Sequence, residues 1–328
     1  MISLVTGGTG YLGGRLVTML LARGDTVRVL HRPESDVSRL SGEVVLMEGD
    51  VTAPDSLRRA AEGCERIFHA AALVKTWVRD SSEFDRINVR GTENVFRIAA
   101  EANARLIYTS SFFALGPTGP TPVGEDHVRS TLPYCTDYER TKTEADRIAR
   151  QFLDEGRDAV VLYPGLVYGP GPMTQGNYVS QLALDLLRGR LPGVPGSGDQ
   201  VWTFAYIEDV AAAHLTAADL ARPGSRYILG GPTATVRETL RILGELLRVR
   251  TPRLNIPIPI LRMVGLFGEG FAQVTGKAPK LTRGVAEVYR RHWAYDSSRA
   301  ARDLGYPIRP LVEGLGEVVR YIKGFSHT

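Results

Sequence analysis

This 328-residue sequence predicts a doubly wound α/β protein, with a parallel sheet between layers of helices and a smaller C-terminal lobe that binds a substrate. Three observations predict it. Strand patterns alternate with helix patterns through the first half, as right-handed βαβ units do. The first unit turns through three glycines, Gly7, Gly10 and Gly13, within LVTGGTGYLG at 4–13. From Gly165 the texture changes, and glycine and proline crowd 165–176 and 192–198 between helical segments.

The first strand is the apolar run of Ile2, Leu4 and Val5, ending at Thr6. A helix follows with Leu12, Leu16, Met19 and Leu20 on one face and Gly24 as its stop. Between them Gly7 permits a sharp turn, Gly10 lets the backbone approach a diphosphate, and Gly13 lets helix and strand pack closely. The first helical N–H groups then face the phosphates of a dinucleotide. A second strand at Thr26–His31 precedes a short helix near Asp36–Leu40, a strand at Val44–Glu48 and a helix beginning near Asp55. Next come a strand at Arg66–Ala70, a long helix over 83–102 and a strand at Arg105–Ser110. A second long helix over 134–155 leads to a strand at Ala159–Tyr163, closed by Pro164. Residues 1–165 read as the dinucleotide-binding domain and 166–328 as the substrate lobe. The division is interleaved, because a strand at Val201–Ile207 and a helix at Glu208–Leu220 are expected to return to the main sheet.

A hydrophobic content of 43% with 23% charged residues describes an ordinary globular chain. The net charge of +4 comes from scattered arginines without a basic block, which argues against nucleic-acid binding. Two cysteines, Cys64 and Cys135, give neither a disulfide scaffold nor metal-ligand spacing, so no metal is expected and a reducing cytoplasm suits the chain. The sequence opens directly on a strand, so no signal peptide is expected. Its most apolar later stretch, 256–268, is broken by Pro257, Pro259 and Arg262 and is too short to span a bilayer. It reads as a buried or lid helix, with a membrane surface or a subunit contact as alternatives.

The second strand ends Leu30-His31-Arg32-Pro33, with no acid to bond a ribose 2′-hydroxyl. Arg32, with Arg39 seven residues on, offers guanidinium forks for a 2′-phosphate, so NADP(H) is expected ahead of NAD(H). Asp50 and Val51, after the third strand, fall beside the adenine. Tyr138 and Lys142 lie four apart on a helix and share a face. An ammonium beside a phenol favours the phenolate, which makes Tyr138 a usable proton donor or acceptor. Ser110 and Ser111 end the fifth strand, where a hydroxyl can bond a reacting carbonyl, and Lys142 can also hold the nicotinamide ribose.

Eight motifs follow in order: TGGTGYLG (6–13), GDV (49–51), FHAAA (68–72), NVRGTENV (88–95), YTSS (108–111), YERTK (138–142), YPGLVYGPG (163–171) and IEDVAAAH (207–214). Together they resemble the extended short-chain dehydrogenase/reductases, the NAD-dependent epimerase/dehydratase superfamily, over essentially the whole chain. Within it the chain is most similar to the dihydroflavonol-4-reductase and 3β-hydroxysteroid dehydrogenase branch. The resemblance implies a Rossmann fold in which Ser111 orients the substrate carbonyl, with Ser110 as its substitute. Tyr138 would donate the proton and Lys142 tune it, while NADPH supplies the hydride. It also implies that Thr9, Tyr11, Leu12, Ala70, Ala71, Ala72, Tyr163, Pro164, Gly165 and Leu166 surround the cofactor, that Asn88 fixes backbone near the active strand, and that two copies pair through the two long helices.

One departure concerns the substrate. Nucleotide-sugar members carry an arginine for the sugar diphosphate just before their counterpart of 204–209, where this chain has Trp202. Tryptophan cannot neutralise a diphosphate but can cover an apolar substrate. Val74 and Trp77, with Phe112 and Phe113, offer further apolar lining. Arg237 and the 283–291 arginine cluster keep a phosphate-binding alternative open, and Asp209 reads as a cap and lobe brace. The expected function is NADPH-dependent reduction of a ketone or aldehyde on an apolar small molecule. A nucleotide-sugar epimerase or dehydratase that recycles its own NAD is one alternative, and a non-catalytic dinucleotide-sensing protein another.

Overall fold

Strand and helix alternate along the first half of the computed structural model, which describes residues 1–325. The strands are β1 (Ile2–Thr6), β2 (Thr26–His31), β3 (Val45–Glu48), β4 (Arg66–His69), β5 (Arg105–Thr109), β6 (Ala159–Pro164), β7 (Leu166–Tyr168), β8 (Val194–Pro195), β9 (Val201–Tyr206), β10 (Arg226–Leu229), β11 (Thr233–Thr235) and β12 (Asn255–Ile256). The first helices are α1 (Tyr11–Ala22), α2 (Pro54–Ala61), α3 (Ser82–Phe84), α4 (Thr92–Glu101), α5 (Phe112–Leu115), α6 (Asp137–Asp154) and α7 (Tyr178–Leu187). They are followed by α8 (Ile207–Leu220), α9 (Val236–Leu247), α10 (Ile258–Thr275), α11 (Arg283–Val288), α12 (Ser298–Leu304) and α13 (Leu311–Phe325).

Seven strands form one parallel sheet in the order β10-β6-β5-β4-β1-β2-β3, the Rossmann arrangement. Its central strands are apolar without alternation because both faces are covered: Leu4, Val5, Ile67, Phe68, Leu106, Ile107 and Val160–Leu162 are all fully buried. The order turns back between β1 and β4, and at such a crevice, beyond the carboxyl ends of the strands, doubly wound sheets bind ligands.

Several expectations are corrected. The short helix near 36–40 is a pair of turns, closed by Ser35 on the Arg32 carbonyl and Leu40 on the Val37 carbonyl. The Asp36 side chain takes the Ser38 amide and hydroxyl, a local bond that competes with helix formation. The long helix over 83–102 is interrupted by a π-helical stretch, Asp85–Gly91, between α3 and α4. The helix expected from Tyr134 starts at Asp137, where the Thr136 hydroxyl accepts the Glu139 amide at 3.1 Å.

The strand expected to rejoin the main sheet does not. β9 lies at the centre of a separate sheet, antiparallel to β11 and parallel to β7. It is α8 that packs on the main sheet, beside α1, and β10 that pairs with β6. The apolar stretch near 256–268 is also more open than a buried helix. Leu261, Gly265 and Ala272 of α10 are buried, whereas the opposite side of the helix is exposed. Among the described residues no helix is long and apolar enough to cross a membrane.

Candidate active site

The glycine turn is built as its spacing demands. Gly7 has φ +78°, and a Cβ on it would stand 2.6 Å from the Ala71 amide nitrogen at the end of β4. A Cβ on Gly13 would overlap the Gly7 carbonyl oxygen, so only glycine lets α1 start this close to β1. Gly10 takes the N-cap position of α1 without a side-chain cap, and the first turn holds no acid. Its leading N–H groups therefore meet no carboxylate and are free to take phosphate oxygens, so this end fits a dinucleotide diphosphate. Tyr11 donates to the Gly169 carbonyl at 2.8 Å, tying the turn to the YGPG loop of the C-terminal half. Behind the turn, buried His69 bridges Thr6 (2.7 Å) and Thr92 (3.2 Å); desolvation lowers its pKa to about 3, so it stays neutral.

Just after β3, Asp50 uses one carboxylate oxygen on the Thr52 amide at 2.7 Å, and Val51 is buried beside it. Arg32 is exposed and pairs with Glu34 at 3.3 Å, a partner that the strand-end pattern does not reveal. Such a surface pair is worth about 0–1 kcal/mol and yields readily to a phosphate. Arg39 lines a cavity of about 520 Å³ with Pro172, Met173, Leu184 and Arg188.

Ser111, Tyr138 and Lys142 come together at the ends of β5 and α6. Ser111 caps α5 by accepting the Phe113 amide at 3.3 Å, and its side chain also hydrogen-bonds Tyr138. Ser110 beside it is buried, its amide on the Leu162 carbonyl at 2.7 Å. Tyr138, Lys142, Asp146 and Arg150 form an i, i+4 ladder on α6. Asp146 holds Arg150 at 2.7 Å and accepts the Tyr163 hydroxyl at 2.5 Å. Burial drops the Lys142 pKa to about 8, against a smaller upward pull from Asp146.

The expected lowering of the Tyr138 pKa by its lysine is corrected. Burial pushes the phenol up to about 12, with only the Ser111 hydrogen bond pulling it back. Lys142 donates instead to the Thr109 carbonyl at 3.0 Å. Desolvation of a phenolate outweighs a charge that is spent on a backbone oxygen. The trio can therefore offer a neutral phenol as donor and a hydroxyl to a carbonyl. The pKa of Lys142 is depressed, so its positive charge is present below about pH 8 and lost above it. Reduction rates are expected to fall as pH rises through that value. In Lys142→Arg, whose guanidinium stays charged, the fall should move beyond about pH 10. A pH–kcat profile identical for both proteins would show that the lysine charge plays no part.

Asn88 ties the segment after β4 to this helix. Its amide accepts from the Leu73 amide at 2.7 Å and donates to Thr141 at 3.2 Å. The π-helical stretch turns Asn88 inward, and nothing in the NVRGTENV pattern signals that irregularity. Leu73, Trp77 and Val78 are half-buried there, and Val74 is exposed.

An aromatic wall stands next to the trio. Phe113 meets Tyr138 edge-on at 5.9 Å and Trp293 at 4.5 Å, and Phe112 lies between Trp293 and Tyr295. Trp202 stacks on Tyr289 at 5.2 Å. Sequence reasoning placed Phe112, Phe113 and Trp202 but missed Tyr289, Trp293 and Tyr295. The aromatic spacing of YRRHWAY at 289–295 carries the signal. The arginines kept for a phosphate are engaged elsewhere. Arg237 bonds Ser197 and Asn255, Arg283 pairs with Glu269, Arg290 with Glu287, and Arg291 holds the Pro133 carbonyl. Asp209 does not cap α8: it lies in the first turn and braces the lobe through a two-point bond to Arg309 at 2.8 and 2.9 Å.

The profile of the NAD dependent epimerase/dehydratase family matches residues 3–230. The chain belongs to that family. The family's members are NAD(P)-dependent oxidoreductases and epimerases of the extended short-chain type, so this epimerase/dehydratase relative is an enzyme of that class. It is 34% identical to sterol demethylase protein B of Methylococcus capsulatus over 93% of each chain. It is 28% identical to a putative dihydroflavonol 4-reductase of Synechocystis over 98% of this chain and 95% of the relative. The structure of UDP-glucose 4-epimerase from Thermotoga maritima with UDP-glucose superposes with a TM-score of 0.80 at 23% identity, over 99% of this chain and 100% of that one, and shares the fold.

Proposed function

We propose that this family member is an NADPH-dependent reductase of a ketone or aldehyde on an apolar, polycyclic or aromatic small molecule. The observation that carries the reading is the aromatic wall of Phe113 and Trp293 against Tyr138. The sterol and flavonoid names of two relatives support the same substrate class.

In this reading Gly7, Gly10 and Gly13 with Thr9, Tyr11 and Leu12 hold the diphosphate, and Asp50 and Val51 hold the adenine. Arg32 and Arg39 take the 2′-phosphate. Ala70–Ala72, Ser110 and Tyr163–Leu166 line the nicotinamide half. The bound cofactor supplies the hydride. Ser111 and Tyr138 grip the carbonyl oxygen, and Tyr138 hands it a proton as negative charge develops. Lys142, anchored on the Thr109 carbonyl, holds the nicotinamide ribose beside the trio. Trp202, Phe112, Phe113, Val74 and Trp77 cover the apolar body of the substrate. Two free cysteines suit a reducing cytoplasm, and two copies pair through 82–101 and α6.

The test begins with protein purified without added cofactor. An open site that prefers NADPH to NADH is expected, with the preference reduced about 10- to 100-fold in Arg32→Asp, the scale of a lost charged hydrogen bond. A tightly trapped NAD with no NADPH consumption would overturn the reading in favour of a nucleotide-sugar epimerase. Binding without turnover over a broad carbonyl panel would leave the sensor reading.

A further inference from the structure

Helix α10 is apolar on the side that faces away from the protein. Ile260, Met263, Val264, Phe267, Phe271 and Val274 are all exposed; Phe267 is 73%, Phe271 66% and Val274 83% accessible. At about 100° per residue these six fall within a sector of roughly 100°, so they form one stripe. The buried contacts of the helix, Leu261, Gly265 and Ala272, lie on a different face, where Gly265 seats against the backbone of Thr282 and Arg283. The stripe runs from 260 to 274, about 21 Å of the 18-residue helix.

The charge around the stripe is one-sided. Residues 250–283 hold six basic side chains (Arg250, Arg253, Arg262, Lys277, Lys280, Arg283) and a single acid, Glu269, a local +5 in a protein whose whole net charge is +4. Arg262 and Arg283 pair with Glu287 and Glu269. Among the described residues Arg250, Arg253, Lys277 and Lys280 form no ion pair. Arg79 adds a further cation, bonded to the Gln273 carbonyl at 3.0 Å.

We infer that α10 is a docking helix that lies in the plane of an anionic lipid surface, with its apolar stripe among the acyl chains and its flanking cations at the headgroups. An exposed apolar ridge with basic ends is the pattern of a helix that rests on a membrane without crossing it. Pairing with a second copy fits the charges poorly. Basic residues stand at both ends, so parallel and antiparallel contacts alike would set cation against cation. The surface also adjoins the reacting end of the molecule. α10 packs on α11, and Gly284 at the start of α11 abuts the Cys135 carbonyl, three residues ahead of Tyr138. A substrate dissolved in lipid would thus be met at the bilayer, but the docking itself stands whether or not the reductase reading does.

Sedimentation of the full-length protein with vesicles tests it. Vesicles of phosphatidylcholine with about one-third phosphatidylglycerol should bind the protein at least about tenfold better than phosphatidylcholine alone, less so at high salt. Phe267→Ser with Phe271→Ser should abolish binding. These side chains are exposed and outside the proposed cofactor site, so NADPH titration should be unchanged. Lys277→Glu with Lys280→Glu should weaken binding to anionic vesicles with the stripe intact. Failure to bind anionic vesicles, or binding indifferent to the phenylalanine changes, would overturn the inference. So would a dimer in light scattering that the same changes dissolve while no vesicle binding is seen.

Discussion

Tyr138→Phe is expected to slow carbonyl reduction by about 10²- to 10⁴-fold, the scale of one positioned proton donor. Dinucleotide affinity should stay within about threefold, because the ring keeps its edge contact with Phe113 and only the hydroxyl is lost. Desolvation holds the phenol's pKa at about 12, so it carries its proton across the whole working range. A group in that state stands in the protonated form that reduction uses, whereas the reverse oxidation needs it deprotonated. Single-turnover decay of NADPH absorbance, beside a fluorescence titration, measures both quantities. Unchanged turnover would remove Tyr138 from the mechanism.

Trp293→Ala is the second large effect, and it falls on stability. The indole is fully buried, packs on Phe112 and Phe113, and donates to the Val288 carbonyl at 3.2 Å. Its backbone also joins that of Val201 and Thr203 in β9. Truncation leaves a cavity and removes one of the two donors to the Val288 carbonyl, which keeps the Arg291 amide, with an expected cost of about 3–5 kcal/mol. Trp293→Phe refills most of the space and should cost less than half as much. Denaturant unfolding gives both values, and a loss under about 1 kcal/mol for the alanine variant would show that the wall repacks freely. Because Phe113 touches both Trp293 and Tyr138, the alanine variant should also lose kcat more than it raises KM.

The sheet was legible because the middles of β1, β4, β5 and β6 are buried on both faces and read as short apolar runs at 4–5, 67–68, 106–108 and 160–163, while β2 alternates around Arg28. The glycine turn was legible because steric overlap at Gly7 and Gly13 leaves one residue type. Ser111, Tyr138 and Lys142 could be brought together from a strand end and a four-residue spacing alone. The electrostatics of that trio could not, since burial and the Thr109 carbonyl decide where the lysine charge is spent. Asn88 was named, yet the π-helical turn that aims it leaves no trace in hydrophobic period. β7 and β11 are three residues each and take their pairing from β9, so no local pattern announces them. For α10, apolar content suggested a covered helix, and only the packed structure shows that the protein covers just one side.

The π-helical stretch at Asp85–Gly91 makes this region sensitive to counting. It fits more chain per turn than an ordinary helix while Phe84 before it and Val95 and Phe96 after it all point into the core. Asp85 meanwhile holds Arg140 of α6 through two oxygens, at 2.8 and 2.6 Å. A π-helical turn holds one residue more than an α-turn between the same two flanks, so dropping one residue would close the stretch to regular pitch with Phe84 and Phe96 still in place. What would go is the inward aim of Asn88 and its bonds to Leu73 and Thr141. In the currency of inheritance, exposed Arg86 and Arg90 can drift through substitution, whereas an in-frame loss of a single codon here spares the core and costs the site.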